Sequence, residues 1–138
     1  MPSETLSIRV PAETKTWLER LACGMGSAGS AAARLIEEAR RRETYRAVEF
    51  RDTPLGRLAY VAETRVPVYL VVRFARDGGL DGAALAEHFS WPPWKAESAL
   101  AYAEAFASEI NEDIAQAEAL EDPAALQAKI PGLEVINL

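Results

Sequence analysis

The chain has 138 residues, a formal charge of −6 and a single cysteine, which bounds it to one ordinary domain or two very small ones. Its apolar and charged fractions are those of a globular chain rather than a disordered one. No apolar run approaches the roughly 20 residues that span a bilayer, and the polar, strand-like residues 1–10 do not make a secretory signal.

Cys23 has no partner for an internal disulfide and no CxxC neighbour, so it reads as a small buried helical residue in a protein of the reducing cytoplasm. The charge is unevenly spread. Residues 1–46 carry eight basic and six acidic side chains, net +2, whereas residues 47–138 carry seven and fifteen, net −8. From Glu104 onward one basic residue faces eight acidic ones. An acidic chain is a poor non-specific DNA binder, so any DNA contact is expected in the N-terminal part. The acidic C-terminal part either meets a basic protein or keeps the chain soluble.

Thr5 to Val10 alternate with period two, which predicts a strand with Leu6, Ile8 and Val10 on one face and Thr5, Ser7 and Arg9 on the other. A lone strand leaves its backbone N–H and C=O groups unpaired. The same strand from a second copy, antiparallel about a two-fold axis, would satisfy them. Such a two-stranded ribbon fits the major groove of DNA.

Pro11 suits a helix start, and a helix is predicted from about Ala12 to Cys23 with Thr14, Trp17, Leu18, Leu21 and Ala22 on one face. Gly24, Met25 and Gly26 break it. A second helix is predicted from about Ala28 to Thr44, with Ala32, Leu35, Ile36 and Ala39 as its buried stripe. Arg40, Arg41 and Arg42 at its end read as dipole compensation on a solvated face.

A hairpin is predicted over Ala47 to Ala62. In it Val48 and Phe50 alternate with Glu49 and Arg51, Leu58, Tyr60 and Ala62 mirror them, and residues 52–56 turn the chain. Thr64 is placed as the cap of a helix from about Val66 to Arg76, with Val68, Val71, Val72 and Ala75 inward. Gly78 and Gly79 stop it. A short helix follows from Gly82 to His88 with Asp81 as N-cap, and a long alanine-rich one starts near Pro93, presents Ala96, Ala99, Leu100, Ala103 and Phe106, and runs on through Ile110 and Ile114 to Leu120. Trp91 and Trp94 are expected to plug the core where these last two helices meet.

The strand–helix–helix pattern resembles the ribbon-helix-helix (MetJ/Arc) repressor superfamily. The resemblance is carried by Leu6-Ser7-Ile8-Arg9-Val10-Pro11, Trp17-Leu18-Glu19-Arg20-Leu21-Ala22, Gly26 and the run from Ser30 to Ala39. It implies that Thr5, Ser7 and Arg9 touch base edges and that the amides opening the second helix clamp a phosphate, as helix N-termini do. Ala28 stands where that family has Ser or Thr, which leaves the clamp to Ser27 and Ser30.

The next region resembles a small antitoxin-associated domain of unknown function, common in VapB-like antitoxins. The matching residues are Val48-Glu49-Phe50-Arg51-Asp52, Gly56-Arg57-Leu58-Ala59-Tyr60, Thr64-Arg65-Val66-Pro67-Val68, Gly78-Gly79, Leu85-Ala86-Glu87 and Ala99-Leu100-Ala101-Tyr102. The resemblance implies a helix-turn-helix-like core behind a hairpin. Glu63 replaces a glycine, and Glu97 sits where a basic residue is common. With Lys95, Glu97, Ser98 and then mostly alanine, the last helix reads as a packing scaffold rather than a reader of bases.

The expected fold is therefore mainly α with short β elements: a dimeric ribbon-helix-helix over 1–46, a hairpin plus three-helix domain over 47–108, and an acidic helical extension with an apolar tail over 109–138. In that tail Leu126, Ile130, Leu133, Val135 and Ile136 form a candidate partner-binding segment, or fold back on their own domain or the dimer mate. No enzyme constellation, cofactor motif or metal-ligand spacing is present, and His88, the single histidine, reads as a helix-end surface residue.

The combined resemblance implies a cytoplasmic homodimeric antitoxin that binds operator DNA and neutralises a PIN-type ribonuclease toxin, with no membrane or small-molecule partner. A stand-alone transcription regulator and an oligomerisation adaptor are the alternatives.

Overall fold

The computed structural model describes residues 3–22 and 26–121. Cys23 and the tail from residue 122, with its expected partner-binding side chains, lie outside the described residues. Among the described residues there are six helices and a two-stranded antiparallel sheet, so the protein is mainly helical. No described helix is long and apolar enough to cross a membrane. The chain divides into two compact units, Met1–Arg40 and Arg41–Leu138.

The first unit holds α1, Ala12–Leu21, and most of α2, Ala28–Thr44. Both start where the sequence places them. Pro11 stands at the N-cap of α1. Ser27 stands before α2, and its Oγ accepts the Ser30 amide at 3.1 Å. Residues 3–11 form no strand, because strand pairing needs a ladder partner and none lies beside this segment among the described residues. Both expected faces are exposed, with Leu6 at 74% and Ile8 at 54%.

The expected stripe on α2 is also displaced. Ala31 and Glu38 are buried, whereas Ile36 and Ala39 are exposed. Glu38 tolerates burial because the Arg34 Nε donates to it at 2.8 Å, one helical turn away.

In the second unit β1 (Val48–Thr53) pairs with β2 (Gly56–Val61) around Pro54 and Leu55. Thr53 fixes the turn. Its hydroxyl donates to the Gly56 carbonyl at 2.8 Å and accepts the Leu55 amide at 3.1 Å, while Gly56 takes a φ of 103°. The register sets Val48 against Val61 and Phe50 against Ala59. Leu58 and Tyr60 therefore share a face with Arg51 and Glu49, not with Val48 and Phe50. Both parities of β2 are apolar, so only the loop length decides which one faces the core.

Thr64 does not cap the next helix. Its hydroxyl donates to the Val61 carbonyl at 2.7 Å and accepts the Val66 amide at 3.0 Å, closing a turn in which Glu63 has a φ of 63°. Glycine adopts such a left-handed backbone without strain, whereas a glutamate does so at a cost. Pro67 then bridges back to Tyr60 and stands as N-cap of α3, Val68–Gly78. As predicted, α3 buries Val68, Val71 and Val72, and it ends at Gly79 with a φ of 60°.

Next come α4 (Gly82–Phe89), capped by Asp81 through a 2.9 Å bond from the Ala84 amide, α5 (Pro93–Ala105) and α6 (Ala107–Glu121). The expected single long helix is broken at Phe106, whose ring packs against Tyr102 and Tyr45 with the Arg41 guanidinium 3.9 Å from its centre. No glycine or proline marks this break; tertiary contacts impose it.

The hairpin packs on α3 and α5, α4 on α5, and α6 on α3 and α5. Tyr102, Leu85, Ile110, Val48, Val61, Val68 and Val71 are the largest fully buried side chains in this core. Trp91 stacks on Phe89 at 4.4 Å at the core's edge, but Trp94 is 54% exposed and plugs nothing.

Candidate nucleic-acid interface

Two places in the first unit hold the residues expected to touch DNA. Thr5, Ser7 and Arg9 are all exposed. Thr5 and Ser7 help line a groove of about 650 Å³ whose walls are residues 4–8 and one side of α2, with Gly29, Ala32, Ala33 and Ile36. Small residues make that side of α2 shallow enough to receive another apolar segment. Ile36 stands out of it 51% exposed, near Leu6 and Ile8 of the same groove. Arg9 does not line the groove. The helical period of α2 marks Ala32 and Ile36 as part of a buried stripe, whereas here they line an open groove.

Ser27 and Ser30 come together at the start of α2, where the Ser27 hydroxyl donates to the Ser30 Oγ at 3.0 Å and accepts the Ser30 amide. The Ala31 amide bonds the Ser27 carbonyl at 2.9 Å. Helix geometry leaves the amides of Ala28 and Gly29 to an acceptor from outside the helix. No acidic residue lies in this first turn to oppose an anion.

The three arginines near the C-terminal end of α2 differ from one another. Arg40 pairs with Glu37 at 2.6 Å, which is the expected solvated arrangement. Arg42 is exposed. Arg41 departs from expectation: it is half-buried and joins a network in the second unit. Its Nη1 donates to the Tyr102 hydroxyl at 2.9 Å and to both oxygens of Glu109 at 3.1 and 3.2 Å, while Tyr102 donates to Glu109 Oε2 at 2.8 Å. Burial, followed by the Glu109 carboxylate, pushes the Tyr102 phenol well above its ordinary range. Nothing local in the sequence pairs residues 41, 102 and 109.

At the start of α5, Lys95 is half-buried and its Nζ donates to the Ala62 carbonyl at 3.2 Å. The Ser98 Oγ accepts the Ala47 amide at 3.2 Å. Both side chains hold the hairpin's ends, in keeping with a packing role for this helix. Glu97 is exposed. Among the described residues no three His, Cys, Asp or Glu side chains gather as a metal site. His88 is exposed at the end of α4, with its ring beside Phe74 and Phe89 at 5.1 and 4.8 Å. No protein-family model, no curated protein and no solved structure matches this chain.

Proposed function

We propose that this protein is a cytoplasmic, homodimeric antitoxin and autorepressor, its N-terminal segments pairing into a ribbon-helix-helix that reads operator DNA. The observation that carries this reading is the exposure of Leu6, Ile8 and Ile36 around one shallow groove, with Val10 exposed next to it in the chain. Among the described residues of the first unit, only Leu18, Ala31 and Glu38 are buried. A unit this small needs a second copy or some other staple to be stable. Pairing two copies along residues 5–10 would cover the apolar side chains and satisfy the ribbon backbone, leaving Thr5, Ser7 and Arg9 for base edges and the start of α2, with Ser27 and Ser30, for a phosphate.

In this reading α3, α4 and α5 are a helix-turn-helix-like scaffold rather than a second DNA reader. The use of Lys95 and Ser98 inside the unit supports that role. The region from residue 47 onward neutralises a PIN-type ribonuclease toxin, with Leu126, Ile130, Leu133, Val135 and Ile136 as its apolar contacts.

The test joins light scattering to operator retention. The full chain should elute as a dimer and shift DNA from its own promoter. Arg9→Ala should keep the dimer and weaken operator binding by about 1–3 kcal/mol, the worth of one good base contact. Unchanged retention by Arg9→Ala, or a monomeric parent, would refute the ribbon. Co-expression with the neighbouring reading frame tests the toxin. If that product is harmless and does not co-purify, the protein is a stand-alone regulator.

A further inference from the structure

We propose that residues 122–138 dock in cis on the second unit, with Leu126 seated in the apolar groove formed by α3 and the end of α6. This groove measures about 500 Å³ and is lined by Leu70, Phe74 and Leu80, with Arg73, Asp77 and Glu121 at its polar positions. That volume lies in the range of sites that take a compact organic ligand. Phe74 is 39% exposed, yet its ring is backed by Phe89 at 5.5 Å and His88 at 5.1 Å. Leu80 folds tightly over Gly78, where an added Cβ would lie 3.1 Å from the leucine Cγ. The groove thus has a rigid apolar floor that water covers poorly.

The place where the chain leaves α6 identifies the occupant. Glu121, the last residue of that helix, is itself part of the groove lining. Arg73 holds it there, donating to its two carboxylate oxygens at 2.8 and 3.3 Å. Segment 122–138 therefore begins at the groove. Pro123 has no amide hydrogen with which to extend the ladder of α6, and it disfavours helical backbone at Asp122. Leu126 is the first large apolar residue beyond it, and five residues span at most about 18 Å. Ile130 follows four residues later in the sequence, and the row Phe74–Phe89–Trp91 offers further apolar surface.

Tethering decides between this segment and a foreign one. A ligand attached at the rim by a short linker has an effective concentration of about millimolar, which a separate chain does not match in a cell. Docking in cis would also withhold Leu126 and Ile130 from any other protein and lower its apparent affinity by the undocked fraction. That consequence rests on the antitoxin reading; the docking itself does not.

The experiment uses the full chain alone, without DNA or toxin. Cys23→Ser removes the native thiol, and Asp77→Cys with Gln127→Cys places one thiol at the groove's exposed rim and one beside the anchor. A disulfide forms only when the two Cα atoms approach within about 7 Å. Mild oxidation should give a bridge within one chain, at a rate independent of protein concentration. Adding Leu126→Glu should slow it about tenfold or more, because burial of one leucine is lost. Bridged dimers whose fraction grows with concentration would overturn the proposal in favour of a second copy. Absence of a bridge, or a bridge indifferent to Leu126→Glu, would overturn it as well.

Discussion

Replacing Tyr102 with phenylalanine isolates the worth of one buried hydroxyl. The ring stays: it is fully buried and keeps its contacts with Tyr45, Phe50 and Phe106 at 5.5, 6.0 and 4.7 Å. What goes is a bond donated to Glu109 and a bond accepted from Arg41, at 2.8 and 2.9 Å. Each hydrogen bond to a charged partner contributes about 1.5–3 kcal/mol. The direct Arg41–Glu109 contact remains, so neither charge is orphaned and the loss is less than the sum. We expect about 2 kcal/mol, which for a unit of this size lowers the melting midpoint by about 8–16 °C.

The same substitution changes the alkaline limb of stability. The phenol of Tyr102 ionises well above its ordinary 10.0 in the folded protein. A raised folded value contributes stability that is complete below the unfolded value and is lost as pH climbs from there towards the folded one. Tyr102→Phe should therefore flatten the decline above pH 10, leaving the part due to Tyr69, whose phenol burial also raises. Thermal unfolding followed by circular dichroism across pH 7 to 11 reads both effects. A variant with the parent's midpoint and the parent's alkaline slope would show that the hydroxyl is not engaged as described.

Other substitutions test the frame. Glu63→Gly relieves a left-handed backbone at a glutamate and should raise stability by up to about 1 kcal/mol in a urea titration. Asp81→Ala removes the bond that caps α4 and should cost about 1 kcal/mol by the same assay. Leu85→Ala empties a fully buried site among four helices and the hairpin and should cost about 2–5 kcal/mol. Deleting residues 123–138 should release the toxicity of a co-expressed toxin, scored by colony growth, while the variant alone still retains its operator.

Features governed by neighbours in the chain were legible in the sequence. The turn at Pro54, the Asp81 cap, the stop at Gly79 and the inward face of α3 each follow from a few adjacent residues. Features decided between distant residues were not. Leu58 and Tyr60 pair with Arg51 and Glu49 rather than mirroring Val48 and Phe50, because β2 is apolar at both parities and the pattern does not fix the register. Thr64 has the chemistry of a helix cap but spends it on a turn. Arg41 looked like one more solvated arginine until Tyr102 and Glu109 met it, and Phe106 breaks a helix that alanine propensity would continue. Of the candidate interface, alternation does not account for the exposure of Thr5, Ser7 and Arg9, because Leu6, Ile8 and Val10 between and beside them are exposed as well. Nor does it reveal the groove along α2, because period alone cannot tell a face buried within one chain from one left uncovered.

The alanines of α5 have a practical consequence. Ala96 and Ala99 are fully buried and Ala103 nearly so, whereas Ala101 and Ala105 face outward on the same helix. One added methylene at the inner column pushes neighbouring helices apart and costs about 1–3 kcal/mol, while the outer positions accept any good helix former. A fluorophore or surface tether belongs at Ala101 or Ala105, where it reports on whatever binds nearby without prying the domain open.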